Sequence, residues 1–307
     1  MPAKPSPSVA TALDWGNLGP LRLRARVVAE GVWAGAHRSA RRGAGIEFGG
    51  HREYSPGDDL RWLDRRSLLR HERLLVRQFE TETDRALRLV VDATASMGYR
   101  GERAPGAKLA WAAVVAAALA RVAITTGDPV GLSFIGGGPA TRPVPVSGGR
   151  ESCERILAAL ERSTPEGDAV AEEAMVDRVV GSIARTARRG SIVVVLSDLL
   201  DLPQGSLEAV ATLAGRGRVL VVVQVLDPDE VDFPFDGPVR LRGAEGTAVV
   251  ETDAGARDGY LARLAELTGH WDRELVGRGA RLLRARTDEP PTATLRAIVD
   301  AARHAGC

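Results

Sequence analysis

The strongest pattern in the chain is a series of short apolar runs that alternate with longer amphipathic segments. Runs at 87–91, 192–196 and 219–225 have the length and composition of strands that are buried on both faces, as in a parallel sheet. Shorter strand patterns occupy 130–135, 141–146, 247–250 and 280–285. Helical patterns lie at 108–126, 151–162, 169–188, 207–214, 258–276 and 292–305. The alternation from 87 to 305 predicts an α/β domain with a doubly wound, mostly parallel sheet.

The part of the chain before this domain has a different character. Residues 1–17 are rich in Pro, Ser and Ala and predict a disordered tail. A helical pattern over 18–36, a basic Gly-rich loop over 37–50 and an edge strand at 74–79 predict an N-terminal lobe. We therefore divide the chain into a tail (1–17), a lobe (18–84) and the α/β domain (85–307).

Composition and charge limit the classes of partner and the cellular compartment that we expect for this protein. The 41 Lys and Arg residues balance 40 Asp and Glu residues, so no global field directs the chain to a nucleic acid or a membrane. Arg-rich stretches in the lobe lack the aromatic pattern of nucleic-acid modules, and we expect them to be solvated or ion-paired. There is no signal-peptide pattern and no apolar run near the ~20 residues of a membrane span. Two distant cysteines fit a reducing compartment. We expect a cytoplasmic protein with no membrane span.

Polar side chains follow the first of the apolar runs at every second position. Asp92, Thr94 and Ser96 supply one carboxylate and two hydroxyls at the end of the predicted strand, and Asp198 follows the second run. Ligands of doubly wound sheets bind at the carboxyl ends of the strands. Hard oxygen donors suit Mg²⁺ or another divalent cation. The same residue types are also favoured where a strand gives way to a helix, with no metal involved.

Longer motifs resemble a known bacterial family. The stretch DATAS at 92–96 is similar to the DxSxS metal-ion-dependent adhesion site of von Willebrand factor A-like domains, with Thr in place of the first Ser. The stretch REYSPGDDLRWLD at 52–64 resembles the RxYxPGDDxRxIDW signature of the domain-of-unknown-function 58 family, although Arg65 stands where its Trp is expected. The stretches RQFETE at 77–82 and LSDLLD at 196–201 are similar to further segments of that family.

The resemblance implies a fold, a function and a site. The fold would be von Willebrand factor A-like, and the function a non-enzymatic adaptor for a MoxR-type AAA+ ATPase and its client proteins. A cation would be held by Asp92, Thr94 and Ser96 from the first loop and by Asp198 from the third. The second loop departs from the family pattern, and either Thr164 or Asp168 would serve there. Two alternatives stay open: a scaffold whose site has lost its metal, and a metal-dependent hydrolase that uses Asp92 and Asp198.

Other catalytic chemistry finds no support in the sequence. The five histidines show no metal-ligand spacing, no Ser lies in a GxSxG context, and neither Cys has a recognisable catalytic His. The Gly run at 136–138 lacks the Lys-Ser/Thr pair of a phosphate-binding loop and predicts a turn. These observations favour a protein that is not an enzyme.

Overall fold

The structure is a computed structural model that describes most of the chain from residue 85 onward and three segments before it. The described residues are 21–33, 47–53, 75–80, 85–172, 174–200, 202–203, 205–235, 240–242, 249–251 and 255–304. The chain forms two compact units, a main unit of residues 1–36 and 85–307 and a smaller unit of residues 37–84.

The described part of the main unit alternates strands and helices, as the apolar pattern predicts. Its helices are α1 (Leu21–Trp33), α2 (Lys108–Thr125), α3 (Gly149–Arg162), α4 (Ala174–Thr186), α5 (Ser206–Ala211), α6 (Pro228–Asp232), α7 (Ala256–Gly277) and α8 (Pro291–His304), with short 3₁₀ turns at Ala95–Gly98 and Thr212–Ala214. Numbering the strands of both units in chain order, the main unit contains β3 (Leu87–Ala93), β4 (Val130–Gly136), β5 (Val144–Ser147), β6 (Ile192–Ser197), β7 (Val219–Leu226), β8 (Arg240–Arg242), β9 (Val249–Glu251) and β10 (Arg281–Arg286).

Six of these strands form one mixed sheet in the order β10-β7-β6-β3-β4-β5. Neighbouring strands are parallel except at one edge, where β5 runs antiparallel to β4. The chain first builds outward from β3 to β5, and then builds in the other direction from β6 to β10. This confirms the predicted doubly wound, mostly parallel α/β fold. The point at which the order reverses lies between β3 and β6, where ligands of such sheets bind.

Helices cover both faces of this sheet, which explains why its central strands are apolar throughout. In β3, Leu89 and Val91 join the core cluster that contains α1, α2, α3 and α8, while Val90 joins the cluster under α4, α5 and α7. Helix α2 lies in the first cluster, with 78% of its residues buried. Its length and hydropathy are sufficient to cross a membrane, but it is packed inside the fold in the manner of a core helix. The helix predicted at 108–126 is therefore observed, as a buried helix of the core.

Helix α1 belongs to the main unit and not to the predicted N-terminal lobe. We assigned it to the N-terminal lobe, but Leu21, Ala25, Val28 and Ala29 are buried in the core of the main unit. They pack against α2 and α8. The compact unit before Arg85 is accordingly 37–84 rather than 18–84.

The smaller unit contains a two-stranded antiparallel sheet among its described residues. Strand β1 (Glu47–Glu53) pairs with β2 (Leu75–Glu80), with an irregularity between Phe48 and Gly50. Strand β2 agrees with the strand predicted at 74–79, whereas β1 overlaps a stretch predicted to be a loop. The YSPGDDLRWLD part of the family motif, at 54–64, lies outside the described residues.

Candidate functional site

The predicted first and third loops meet where the strand order reverses. Asp92 is the penultimate residue of β3, and Asp198 directly follows β6, the adjacent parallel strand. Both carboxylates are fully buried. The topology therefore brings together two acidic residues that lie more than a hundred positions apart in the sequence.

The carboxylate of Asp92 organises a cluster of hydroxyls. Its Oδ1 accepts hydrogen bonds from the Thr94 backbone N–H (2.9 Å) and the Thr94 hydroxyl (2.7 Å), and its Oδ2 accepts one from the Ser197 hydroxyl (2.5 Å). The Thr94 hydroxyl lies 3.2 Å from the Ser96 hydroxyl. Asp92, Thr94 and Ser96 are thus brought together as the spacing predicted. Ser197 is a member of the site that the sequence analysis missed, although its place at the end of β6, beside Asp198, was a usable signal.

Asp92 is a buried carboxylate whose hydrogen-bond donors are all neutral. Burial raises its pKa to about 6, and the nearby Asp198 carboxylate adds to this effect, while the bonds from Ser197 and Thr94 oppose it. No ion pair neutralises Asp92 among the described residues. A buried carboxylate without a counter-ion is costly, and a bound cation would offset that cost.

The second loop contacts the first through its backbone. The Glu166 N–H donates to the Ala93 carbonyl (2.8 Å), and the Ala95 N–H donates to the Gly167 carbonyl (3.0 Å). Gly136, at the end of β4, has φ +71°, and a Cβ there would lie about 3 Å from both Thr94 and the Glu166 carbonyl. These contacts place residues 166–167 against the first loop, and the tight space at Gly136 requires glycine.

The two side chains proposed for the second loop have other contacts. The Asp168 Oδ1 accepts hydrogen bonds from the N–H groups of Val170 (2.9 Å) and Ala171 (3.0 Å), which is a local turn. The Thr164 hydroxyl lies next to Gly138, where a Cβ would come within 2.3 Å of it. Thr164 and Asp168 flank the backbone that reaches the first loop, and both are partly exposed. The choice between them stays a prediction.

Asp198 has a cationic partner, in contrast to Asp92. Its Oδ2 accepts a hydrogen bond from the Lys108 ammonium (2.7 Å), and its Oδ1 accepts one from the Leu200 N–H (3.0 Å). The same ammonium donates to Glu230 Oε1 (2.5 Å). Lys108 is fully buried, and the two carboxylates hold its pKa above the ordinary value although burial opposes this. No motif in the sequence marks Lys108 or Glu230 as part of the site.

The donor set can be tested against a divalent cation. One uncompensated carboxylate and the hydroxyls of Thr94 and Ser96 are the hard oxygen ligands that Mg²⁺ takes in proteins, so the first loop fits. Asp198 fits less well than Asp92 as a direct ligand, because the Lys108 ammonium already neutralises its charge. Within the described part of the chain, no three His, Cys, Asp or Glu side chains form a metal-binding group. Any cation here would depend on hydroxyl and backbone oxygens beside Asp92.

The fold and the site define the class of protein. It is a doubly wound α/β protein with a buried carboxylate–hydroxyl cluster at the point where the strand order reverses. The chain belongs to the family described as Protein of unknown function DUF58, whose model matches residues 50–267.

The chain is also similar to other proteins and to solved structures. The chain is 31% identical over 284 residues to Uncharacterized protein Rv1480 of Mycobacterium tuberculosis, covering 92% of this chain and 86% of that protein. It is 30% identical over 147 residues to Uncharacterized protein MAV169 of Mycobacterium avium, covering 47% and 85%. Among solved structures, conserved hypothetical protein BatB from Bacteroides thetaiotaomicron is 19% identical, with a TM-score of 0.44 and coverage of 71% and 99%. A von Willebrand factor type A protein from Catenulispora acidiphila is 14% identical, with a TM-score of 0.37 and coverage of 76% and 43%. Similarity at this structural level says nothing about what the chain binds.

Proposed function

We propose that this protein is a non-enzymatic interaction module that binds partner proteins through a divalent cation at the Asp92 site. The observation that carries the proposal is the buried Asp92 carboxylate, which has only neutral donors and lies beside the Thr94 and Ser96 hydroxyls. A divalent cation such as Mg²⁺ would supply the missing positive charge and an open coordination position for a carboxylate of the partner. The residues proposed to hold it are Asp92, Thr94 and Ser96, with Thr164 or Asp168 from the second loop.

The partner we propose is a MoxR-type AAA+ ATPase, which would act on client proteins that this chain presents. Support comes from the family resemblance, which implies such an adaptor, and from the DUF58 membership of the chain. The sequence has no phosphate-binding-loop motif, so ATP hydrolysis would belong to the partner. We propose that the complex forms in the cytoplasm.

The test is a binding measurement between purified proteins. The MoxR-type ATPase from the same genome is immobilised, and the wild-type chain is applied in Mg²⁺ and in EDTA by biolayer interferometry. Asp92→Asn is compared with the matched control Asp258→Asn, whose side chain at the start of α7 is 87% exposed. We expect binding that EDTA and Asp92→Asn abolish and that Asp258→Asn leaves unchanged.

Three results would contradict the proposal in different ways. Binding that persists in EDTA and with Asp92→Asn would place the interface elsewhere and favour a metal-free scaffold. Absence of binding under every condition would refute the choice of partner. Turnover of phosphoester or peptide substrates that requires both Mg²⁺ and Asp92 would instead support the hydrolase alternative.

A further inference from the structure

Lys108 is a rare lysine in this chain, and its side chain is buried. The sequence contains 39 arginines but only two lysines, Lys4 and Lys108. Lys108 begins helix α2, and its side chain is fully buried, with its ammonium 5.9 Å from the centre of the Tyr99 ring. A lysine ammonium is a compact point charge, whereas a guanidinium is a broad planar fork. The small space between the buried Asp198 carboxylate and the partly exposed Glu230 carboxylate therefore suits lysine.

The two carboxylates that hold Lys108 are themselves fixed by the backbone. Asp198 accepts the Leu200 N–H through the oxygen that Lys108 does not use. Glu230 accepts the Asp227 N–H (2.8 Å) through its second oxygen, closing the capping box of α6. Every oxygen of both carboxylates is thus engaged. Such a satisfied network is costly to open, because each step would leave a buried charge without a partner.

This network changes the part that the third loop plays in the site. Ser197 donates to Asp92 Oδ2, while the adjacent Asp198 is held by Lys108. The third loop therefore contributes a hydroxyl to the Asp92 cluster and keeps its carboxylate engaged with the ammonium. A cation at Asp92 would therefore have no ligand from the Asp198 carboxylate, which stays paired with the Lys108 ammonium.

We infer that Lys108 tunes the cation affinity of this site. Its ammonium is an internal counter-ion that keeps Asp198 from ligating a divalent cation and thereby limits the site's affinity for it. The inference rests on the proposed cation site at Asp92. It means that cation affinity is set by the Lys108–Asp198–Glu230 network as well as by the ligands. Removing the lysine charge while keeping the net charge of the network would release Asp198 for coordination.

The experiment is a titration of the full chain with Mn²⁺ and with Mg²⁺ by isothermal calorimetry. The central variant is Lys108→Met with Glu230→Gln, which removes one positive and one negative charge and leaves Asp198. We expect its cation affinity to be at least tenfold higher than that of the wild type, the scale by which outer-sphere partners tune metal sites. Adding Asp198→Asn to this variant should abolish the gain. Glu230→Gln alone, which leaves the Lys108–Asp198 pair in place, should give no gain.

A second variant keeps the inference testable if the central one fails to fold, as judged by far-UV circular dichroism. Asp198→Asn in the otherwise wild-type chain should lower Mn²⁺ affinity by less than tenfold, because Asp198 is not a ligand there. Asp92→Asn should abolish binding. A loss of a hundredfold or more with Asp198→Asn would show direct ligation and overturn the inference.

The outcomes separate this inference from the proposed function. Cation binding that is equal in the wild type and in a folded Lys108→Met/Glu230→Gln variant would overturn the role of Lys108 and leave the proposed function intact. Binding by that variant but not by the wild type would support the role of Lys108 and refute a cation-dependent function of the native chain. Absence of binding in both folded proteins would overturn both.

Discussion

Replacing Asp92 with Asn should make the cation-free protein more stable at neutral pH. Asp92 is fully buried, and its pKa rises from an ordinary value of 3.8 to about 6. The folded state therefore binds a proton at Asp92 more tightly than the unfolded state does. The stability of the cation-free protein then falls as the pH rises through the window from about 4 to 6.

The size of the effect follows from the same two values. One pKa unit corresponds to about 1.4 kcal/mol, so ionised Asp92 lowers the free energy of unfolding at pH 7 by about 3 kcal/mol. Asn keeps an oxygen that can accept the bonds from Thr94, and its amide can donate to the Ser197 hydroxyl. We expect a net gain of about 1–3 kcal/mol at pH 7 in EDTA, and almost no gain near pH 3.5, where Asp92 is mostly protonated in both states.

Denaturant unfolding of both proteins in EDTA, followed by tryptophan fluorescence at several pH values, measures this difference. Saturating Mg²⁺ should stabilise only the wild type, by about 2.7 kcal/mol at a hundred times its dissociation constant. Asp258→Asn serves as the exposed control and should follow the wild type. A variant that is less stable than the wild type at pH 7 in EDTA, with a difference that does not depend on pH, would refute the reasoning.

Three further substitutions test the packing around the site and the sheet. Gly136→Ala should lower the free energy of unfolding by about 1–3 kcal/mol and weaken cation binding, because its Cβ would meet Thr94 and the Glu166 carbonyl. The control Gly127→Ala, at φ +85° in open space, should leave the cation affinity measured by calorimetry unchanged. Trp111→Ala should cost about 3–5 kcal/mol in denaturant unfolding, since the indole is fully buried and donates to the Glu289 carbonyl. Arg218→Ala should cost about 1–3 kcal/mol, because its side chain donates to three backbone carbonyls. The exposed neighbour variant Arg216→Ala should change stability by less than about 0.5 kcal/mol, and an equal loss in both would contradict the role of Arg218.

The fold was predictable because its signals are local. Strands β3, β6 and β7 are covered by helices on both faces, so each appears in the sequence as a mainly apolar run, interrupted only by Arg88 in β3 and Gln224 in β7 before the polar residues at the strand ends. Strand β1 was not predictable in the same way. Its sequence, EFGGHRE, has two glycines and no regular alternation, and its strand state depends on pairing with β2. The packing of α1 was also beyond the sequence, because an apolar face does not specify which surface it covers.

The candidate site likewise contains some contacts that the local sequence predicts and others that it does not. The contact of Asp92 with Thr94 follows from their spacing, and the approach of Asp198 follows from the order of parallel strands. The Lys108 contacts with Asp198 and Glu230 span 90 and 122 residues, and no local pattern signals them. The second loop was harder still, since it meets the first loop through the backbone of 166–167, and backbone contacts leave no side-chain motif in the sequence.

The packing of α1 has a consequence for how the chain folds as it is synthesised. Helix α1 is the first described helix to leave the ribosome, yet one of its partners, α8, is the last. Its buried residues Leu21, Ala25 and Val28 therefore have no complete binding surface until translation of the main unit has finished. Contacts of such large sequence separation slow folding and leave apolar surface exposed in the meantime. Helix α1 can contact α2 early in synthesis, but its packing is complete only after α8 has been made.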